Sequence, residues 1–153
     1  MEQPLNDEHF MRLALAEARH AFEQDEVPVG AVIVARGQVI ARAHNLCERL
    51  NDFTAHAEMQ AFTSASEYLG GKFLDQCTLY VTLEPCPMCA GASFWTRIGR
   101  IVYGAKDDKR GGLDFTGKRK EGLFHPRTEM VGGVMEAECA ELLQTFFARR
   151  RKS

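Results

Sequence analysis

Thr54-Ala55-His56-Ala57-Glu58 and, further along, Leu83-Glu84-Pro85-Cys86-Pro87-Met88-Cys89 are the stretches on which the reading of this chain turns. Pro85 and Pro87 end the apolar, β-branched run Cys77 to Leu83 and suit the first turn of a helix, where a missing N–H has no intrahelical partner to lose. The second stretch is thus a strand running into a helix, and the first also falls where a helix begins. His56 and Glu58, two apart, would point in nearly opposite directions inside a regular helix; in a looser first turn both can reach one point. Cys86 and Cys89, three apart, share one face of their helix, whose positive N-terminal end favours thiolates. His56, Cys86 and Cys89 supply three ligands of the zinc type, and Glu58 is a carboxylate left over. Three protein ligands leave a fourth tetrahedral position to water, which separates a catalytic zinc site from a closed structural one.

The remaining elements follow from patterning. Asn6 and Asp7 suit the cap of a helix in which Phe10, Leu13, Ala14, Ala18, Ala21 and Phe22 recur at helical spacing, ending near Asp25. Val27 to Ala35 reads as a strand covered on both faces, and Gly37 turns it into a second strand over Gln38 to Ala43. Asp52 or Thr54 is expected to cap a helix that runs to Tyr68 and ends at Gly70-Gly71. After the helix from Cys86 to Thr96 come a strand at Arg100 to Gly104, a long polar segment over 106–127, and a strand from Glu129 to Val134. In the last helix Cys139, Leu142, Leu143, Phe146 and Phe147 fall at i, i+3, i+4, i+7 and i+8. Together these predict an α/β protein, a three-layer α/β/α fold, with residues 1–153 forming one domain.

Composition narrows the class. The chain has 153 residues, 45% of them hydrophobic and 26% charged, the balance of a globular domain able to bury a rigid site. Its first ten residues lack a basic and apolar leader, and no apolar run is long enough to span a membrane, so a cytoplasmic protein is expected. Five cysteines at 47, 77, 86, 89 and 139 are odd in number and scattered, which does not suit a disulfide framework. A lone Cys-x-x-Cys can also be a redox pair or half of a structural zinc site. Here no second Cys-x-x-Cys or His-x-x-x-His exists to close such a site, and the pairing with His-x-Glu favours catalysis.

His-x-Glu with Pro-Cys-x-x-Cys is the signature of zinc-dependent nucleobase deaminases. The likeness extends over Glu26-Val27-Pro28-Val29-Gly30-Ala31-Val32, His44-Asn45, Leu79 to Cys86, Cys89-Ala90-Gly91-Ala92, Arg97 to Arg100, Gly104-Ala105-Lys106-Asp107 and the ending Phe146 to Arg151. In these stretches the chain resembles the bacterial tRNA adenosine deaminases, which convert the wobble adenosine of an anticodon loop to inosine. The resemblance implies a cytidine-deaminase-like fold with a central five-stranded mixed sheet, and a homodimer whose RNA site draws on both subunits. It implies one Zn2+ per chain on His56, Cys86 and Cys89, with Glu58 as the catalytic proton shuttle. It also implies a base pocket lined by Val29, Asn45 and Ala57, with Asp107 near the flipped nucleotide. Phe94-Trp95 departs from the family's usual smaller residues and is similar to an aromatic pair of guanine deaminases; core or dimer interface is the role expected for it. The segment 110–115 lacks the family's usual Gly-Ser stretch, and Phe53 takes a common proline position.

Net charge is −2, so any affinity for nucleic acid must come from local clusters. Lys106, Lys109, Arg110, Lys118, Arg119 and Lys120 face Asp107, Asp108 and Asp114 in the polar segment, and Arg149 to Lys152 form a second cluster. Lys106, Arg150 and Arg151 are candidate RNA contacts. Two other classes use part of this equipment. A free-base or nucleoside deaminase of guanine or cytosine type needs the metal and Glu58 but no basic surface, and a non-catalytic zinc-binding module needs no Glu58.

Overall fold

The computed structural model describes residues 6–113, 119 and 122–151. Its elements are α1 (Asp7–Glu23), β1 (Gly30–Ala35), β2 (Gln38–His44), α2 (Ala57–Leu69), β3 (Cys77–Leu83), α3 (Pro87–Thr96), β4 (Arg100–Ala105), β5 (Glu129–Val131) and α4 (Glu136–Arg151). The strands form one mixed sheet in the order β2-β1-β3-β4-β5. β1 is antiparallel to both β2 and β3, while β4 runs parallel to β3 and to β5. α1 and α4 pack on one face of the sheet; α2 packs against β1 and β2 on the other and carries α3 beside it. The α/β class and the five-stranded mixed sheet are as expected.

Gly30 decides how closely α1 lies on the sheet. A Cβ at this position would run into the Ala14 carbonyl and the Ala18 amide nitrogen, so only glycine lets the helix backbone sit down on β1. Ala14 and Ala18 are themselves fully buried, the small residues that such an approach requires. Asn6 caps α1, accepting from the His9 N–H at 3.0 Å. Asp7 then ties the helix start to the sheet: its carboxylate accepts two bonds from the Arg100 guanidinium, at 2.7 and 2.8 Å, and one from the Tyr80 hydroxyl at 2.8 Å.

The Arg100 bonds hold the Asp7 carboxyl below its ordinary value, so the stability it contributes is complete above the ordinary carboxylate range and is lost as pH falls through the depressed value. Asp7→Asn is expected to cost about 1–2 kcal/mol, the range for a partly exposed bond to a charged group. It should also flatten the acid limb of the stability curve, which urea unfolding followed from pH 7 to pH 3 would measure. An unchanged acid limb would assign that limb to other carboxylates.

Boundaries shifted where distant residues set them. Val27 to Val29 lie outside β1, because Glu26 and the Val29 N–H bond to Val27 make a turn there. The expected cap of α2 at Asp52 or Thr54 is corrected: Asp52 instead bonds the Thr54 N–H and hydroxyl, and the N-cap is His56. Gly70, at φ 70°, ends α2 as expected. β5 stops at Val131, short of the expected Val134.

Candidate active site

The sheet topology gathers the site at one edge. Because β1 is antiparallel to β3, the start of β1 lies beside the end of β3, and β2 ends beside the start of β1. Val29, Asn45 and Glu84 therefore meet from three strand ends. α2 and α3 begin at the same edge, with His56 and Cys86 as their N-caps. An N-cap side chain ordinarily bonds a free N–H of its own helix. Neither His56 nor Cys86 does so. Both turn to each other and to Cys89, one turn into α3.

The His56 Nδ1 lies 3.6 Å from the Cys86 Sγ and 3.5 Å from the Cys89 Sγ. A tetrahedral ion with Zn–S near 2.3 Å and Zn–N near 2.0–2.1 Å has N···S edges of about 3.5–3.6 Å. The donors are already spaced as the corners of such a shell, and the three residues form a cluster that can hold a metal ion. Cys86 is pushed down to about 4, first by the hydrogen bond from the Cys89 thiol and also by His56, so the cluster favours a sulfur anion. Cys89 is pushed up by its bond to Cys86 and by burial, and His56 is raised by Cys86.

Glu58 is buried one turn-step beyond His56. Burial pushes its carboxyl up to about 7, against the pull of its own backbone N–H and of His56. It opens onto a cavity of about 410 Å³ that is also lined by Val29, Asn45, His56, Cys86 and Asp107. The Asn45 Oδ1 accepts the Ala57 N–H at 2.8 Å and supplies the cap that His56 does not. That leaves the Asn45 NH2 as its donor toward the cavity. Ala57 itself is fully buried behind this bond and is not part of the lining.

Two buried carboxylates hold the cavity's loops. Glu26 accepts the Glu48 and Arg49 N–H groups at 2.9 and 2.7 Å, fixing the loop after β2. Glu84 accepts the Asp107 and Leu113 N–H groups at 3.2 and 2.9 Å, fixing the loop after β4. Asp107 in turn accepts the Lys109 and Arg110 N–H groups, so its carboxylate shapes that loop as well as facing the cavity. Sequence reasoning missed both glutamates, although each sits inside a quoted motif.

Lys106 is exposed beside Asp107. Arg150 and Arg151 are exposed in the last turn of α4; the Arg150 guanidinium lies 4.8 Å over the Phe146 ring and donates to the Asp25 carbonyl at 2.8 Å. Lys118, Lys120, Asp114 and Lys152 lie outside the described residues. Phe147, expected in the core stripe, is 42% exposed and lines the cavity, as does Phe53 at 92%. Trp95 is 77% exposed, which removes it from the core.

A family model for MafB19-like deaminases matches residues 5–151. The tRNA-specific adenosine deaminase of Agrobacterium fabrum is 49% identical over 94% of this chain and 95% of its own length. A solved structure from a study of A-to-I editing by tRNA:A34 deaminases at the wobble position superposes with a TM-score of 0.81 at 48% identity, covering 88% of this chain and 99% of the other. A guanine deaminase from Nitrosomonas europaea superposes with a TM-score of 0.79 at 27% identity, covering 97% of this chain and 86% of the other.

Proposed function

The chain belongs to the MafB19-like deaminase family, and from that premise we propose that it is a zinc-dependent hydrolytic deaminase converting adenosine to inosine at the wobble position of a tRNA anticodon loop. The observation that carries the reading is the junction of a His-Cys-Cys donor set, spaced for a tetrahedral ion, with a buried carboxylate that is not a member of that set. Residues 1–153 act as one deaminase domain, and cytoplasmic tRNA is the substrate.

His56, Cys86 and Cys89 would hold the zinc, which when bound would supply a water acidified to near neutrality. Glu58 takes a proton from the attacking water and hands it on to the leaving amine, so a C–O bond forms as the C–N bond breaks and ammonia leaves. The Asn45 NH2 reads an acceptor on the base edge, and Val29 gives the ring an apolar wall. Ala57 acts through its backbone, fixing the Asn45 amide. Asp107 positions the loop that borders the flipped nucleotide. An anticodon loop already presents unpaired bases, so swinging one into a cavity of about 410 Å³ costs less than from a duplex.

Phe53 and Phe147, exposed at the cavity, offer faces on which flanking bases stack. Lys106, beside the cavity-lining Asp107, and Arg151, four residues beyond Phe147, supply phosphate contacts; Arg150 contributes charge while anchored to Asp25. Lys106→Glu with Arg151→Glu is expected to weaken tRNA binding and to flatten its salt dependence by roughly two in log–log slope, with metal content unchanged. Filter binding across a salt series measures this, and an unaltered slope would move the RNA surface elsewhere.

The exposed apolar residues Trp95, Met88 and Phe73 around α3 are the face on which a second copy docks, making the functional unit a homodimer. Light scattering is expected to give twice the chain mass; a fully active monomer would remove any two-subunit RNA site. The activity itself is tested by digesting a transcribed tRNA after incubation and locating inosine. Inosine at the wobble adenosine is expected, and its absence beside rapid deamination of guanine would assign the chain to the free-base branch.

A further inference from the structure

A second group of metal-ligand side chains lies on the opposite face of the sheet from His56, Cys86 and Cys89. Glu17 and His20 are three apart on α1 and so project from one side of it. His44 ends β2 and pairs with Gly30 across the strands, so its side chain points the way a Gly30 side chain would, toward α1. The Glu17 Oε2 lies 3.3 Å from the His44 Nδ1 and 3.6 Å from the His20 Nδ1, and ligand atoms of all three lie within 4.8 Å of one another. An ion with N and O ligands at about 2.0–2.1 Å needs tetrahedral edges of about 3.3–3.4 Å. Two of the measured separations are close to that.

His44 supplies an independent reason. Both of its ring nitrogens face oxygens: Nδ1 faces Glu17, and Nε2 faces the Gln24 Oε1 at 3.1 Å. A neutral imidazole carries one N–H. With that N–H given to Gln24, the Nδ1 lone pair is turned on a carboxylate, and a cation between them satisfies both. Metal-ligating histidines characteristically donate their other N–H to such an acceptor, the position that Gln24 occupies. Glu17 and His44 are mostly shielded, with side chains 14% and 18% exposed, while His20 at 58% leaves the ion a route in and a place for water.

We propose that Glu17, His20 and His44 bind a second divalent cation of the zinc type, with Gln24 orienting His44. The ion staples α1 to the end of β2, one residue before Asn45, and is independent of the metal that the proposed function requires. Its ligands are imidazole and carboxylate without thiolate, so it is the weaker and exchangeable site of the two.

The test is equilibrium dialysis of the intact protein against buffered zinc, with His20→Gln and Glu17→Gln as variants at positions outside the active-site cavity. The wild-type chain is expected to saturate at two zinc ions, with the weaker one losing at least ~10-fold in affinity in either variant, a loss that even an outer partner can cause. Cobalt gives a second readout: the thiolate site shows sulfur-to-metal charge-transfer absorption, and the Glu17 site adds cobalt without it. Cys89→Ala should remove the first signal and keep the second, so failure of one site is read separately from failure of the other. Saturation of the wild type at one ion, with a proton alone filling the space at His44, would overturn the proposal. So would a second ion whose affinity neither substitution changes.

Discussion

Glu58→Gln, and likewise Glu58→Ala, is expected to leave the protein folded and its metal bound while turnover falls ~100-fold to ~10,000-fold, the range that general acid and base groups contribute. Several features place the result at the upper end. Glu58 is 4% exposed, so bulk water has little room to replace it as a proton carrier. The proposed route uses the same carboxylate at least twice, once to accept and once to deliver. Among the described residues, the other buried carboxylates that line the cavity, Glu26 and Glu84, are each bonded to two backbone N–H groups. Glutamine preserves the volume of the buried side chain and removes only its basicity. Steady-state turnover with parallel metal analysis is the measurement, and near-normal turnover with bound zinc would assign the proton transfers to another group.

Cys89→Ala has the second large effect. Its sulfur is buried and stands 3.5 Å from the His56 Nδ1, at one corner of the His-Cys-Cys donor set. With the corner removed, only His56 and Cys86 remain, and zinc affinity is expected to fall by more than ~100-fold, beyond what loss of an outer partner causes. The consequence is structural as well as catalytic. His56 and Cys86 cap α2 and α3 without bonding their own helices, so a bound ion would tie those two helix starts together. Melting temperature should therefore fall with the metal, and adding zinc should raise it in the wild type far more than in the variant. Full metal retention in both Cys89→Ala and His56→Ala would sink the ligand assignment.

Much of this was legible in residues alone, and the parts that were not share a cause. Local signals carried β3, bounded as expected at Cys77 and Leu83, and the αL glycine at the end of α2. The start of α2 was misplaced because its cap comes from Asn45, twelve positions upstream on another element, while Asp52 turns its side chain into a local loop. Helical spacing put Phe147 in the core stripe, since i+7 and i+8 both fall near the stripe; the contact of Phe146 with Phe22 on α1 decides which of the two is covered. The strand order depends on pairings between β1 and β3 that no local pattern encodes. Glu26 and Glu84 lay inside recognised motifs, but their work, holding N–H groups of loops 22 to 29 residues away, is visible only once those loops are placed.

In the proposed function, one buried carboxylate beside a His-Cys-Cys metal site deaminates an adenosine presented by a folded RNA loop. Ammonia release, followed side by side from a transcribed anticodon stem-loop and from free adenosine, guanine, cytosine and cytidine, tests it most directly. Rapid release from the stem-loop, little from any free base or nucleoside, and loss of the stem-loop signal in Glu58→Gln is the predicted result. Efficient deamination of free guanine or cytosine with the stem-loop inert at every salt concentration would contradict it.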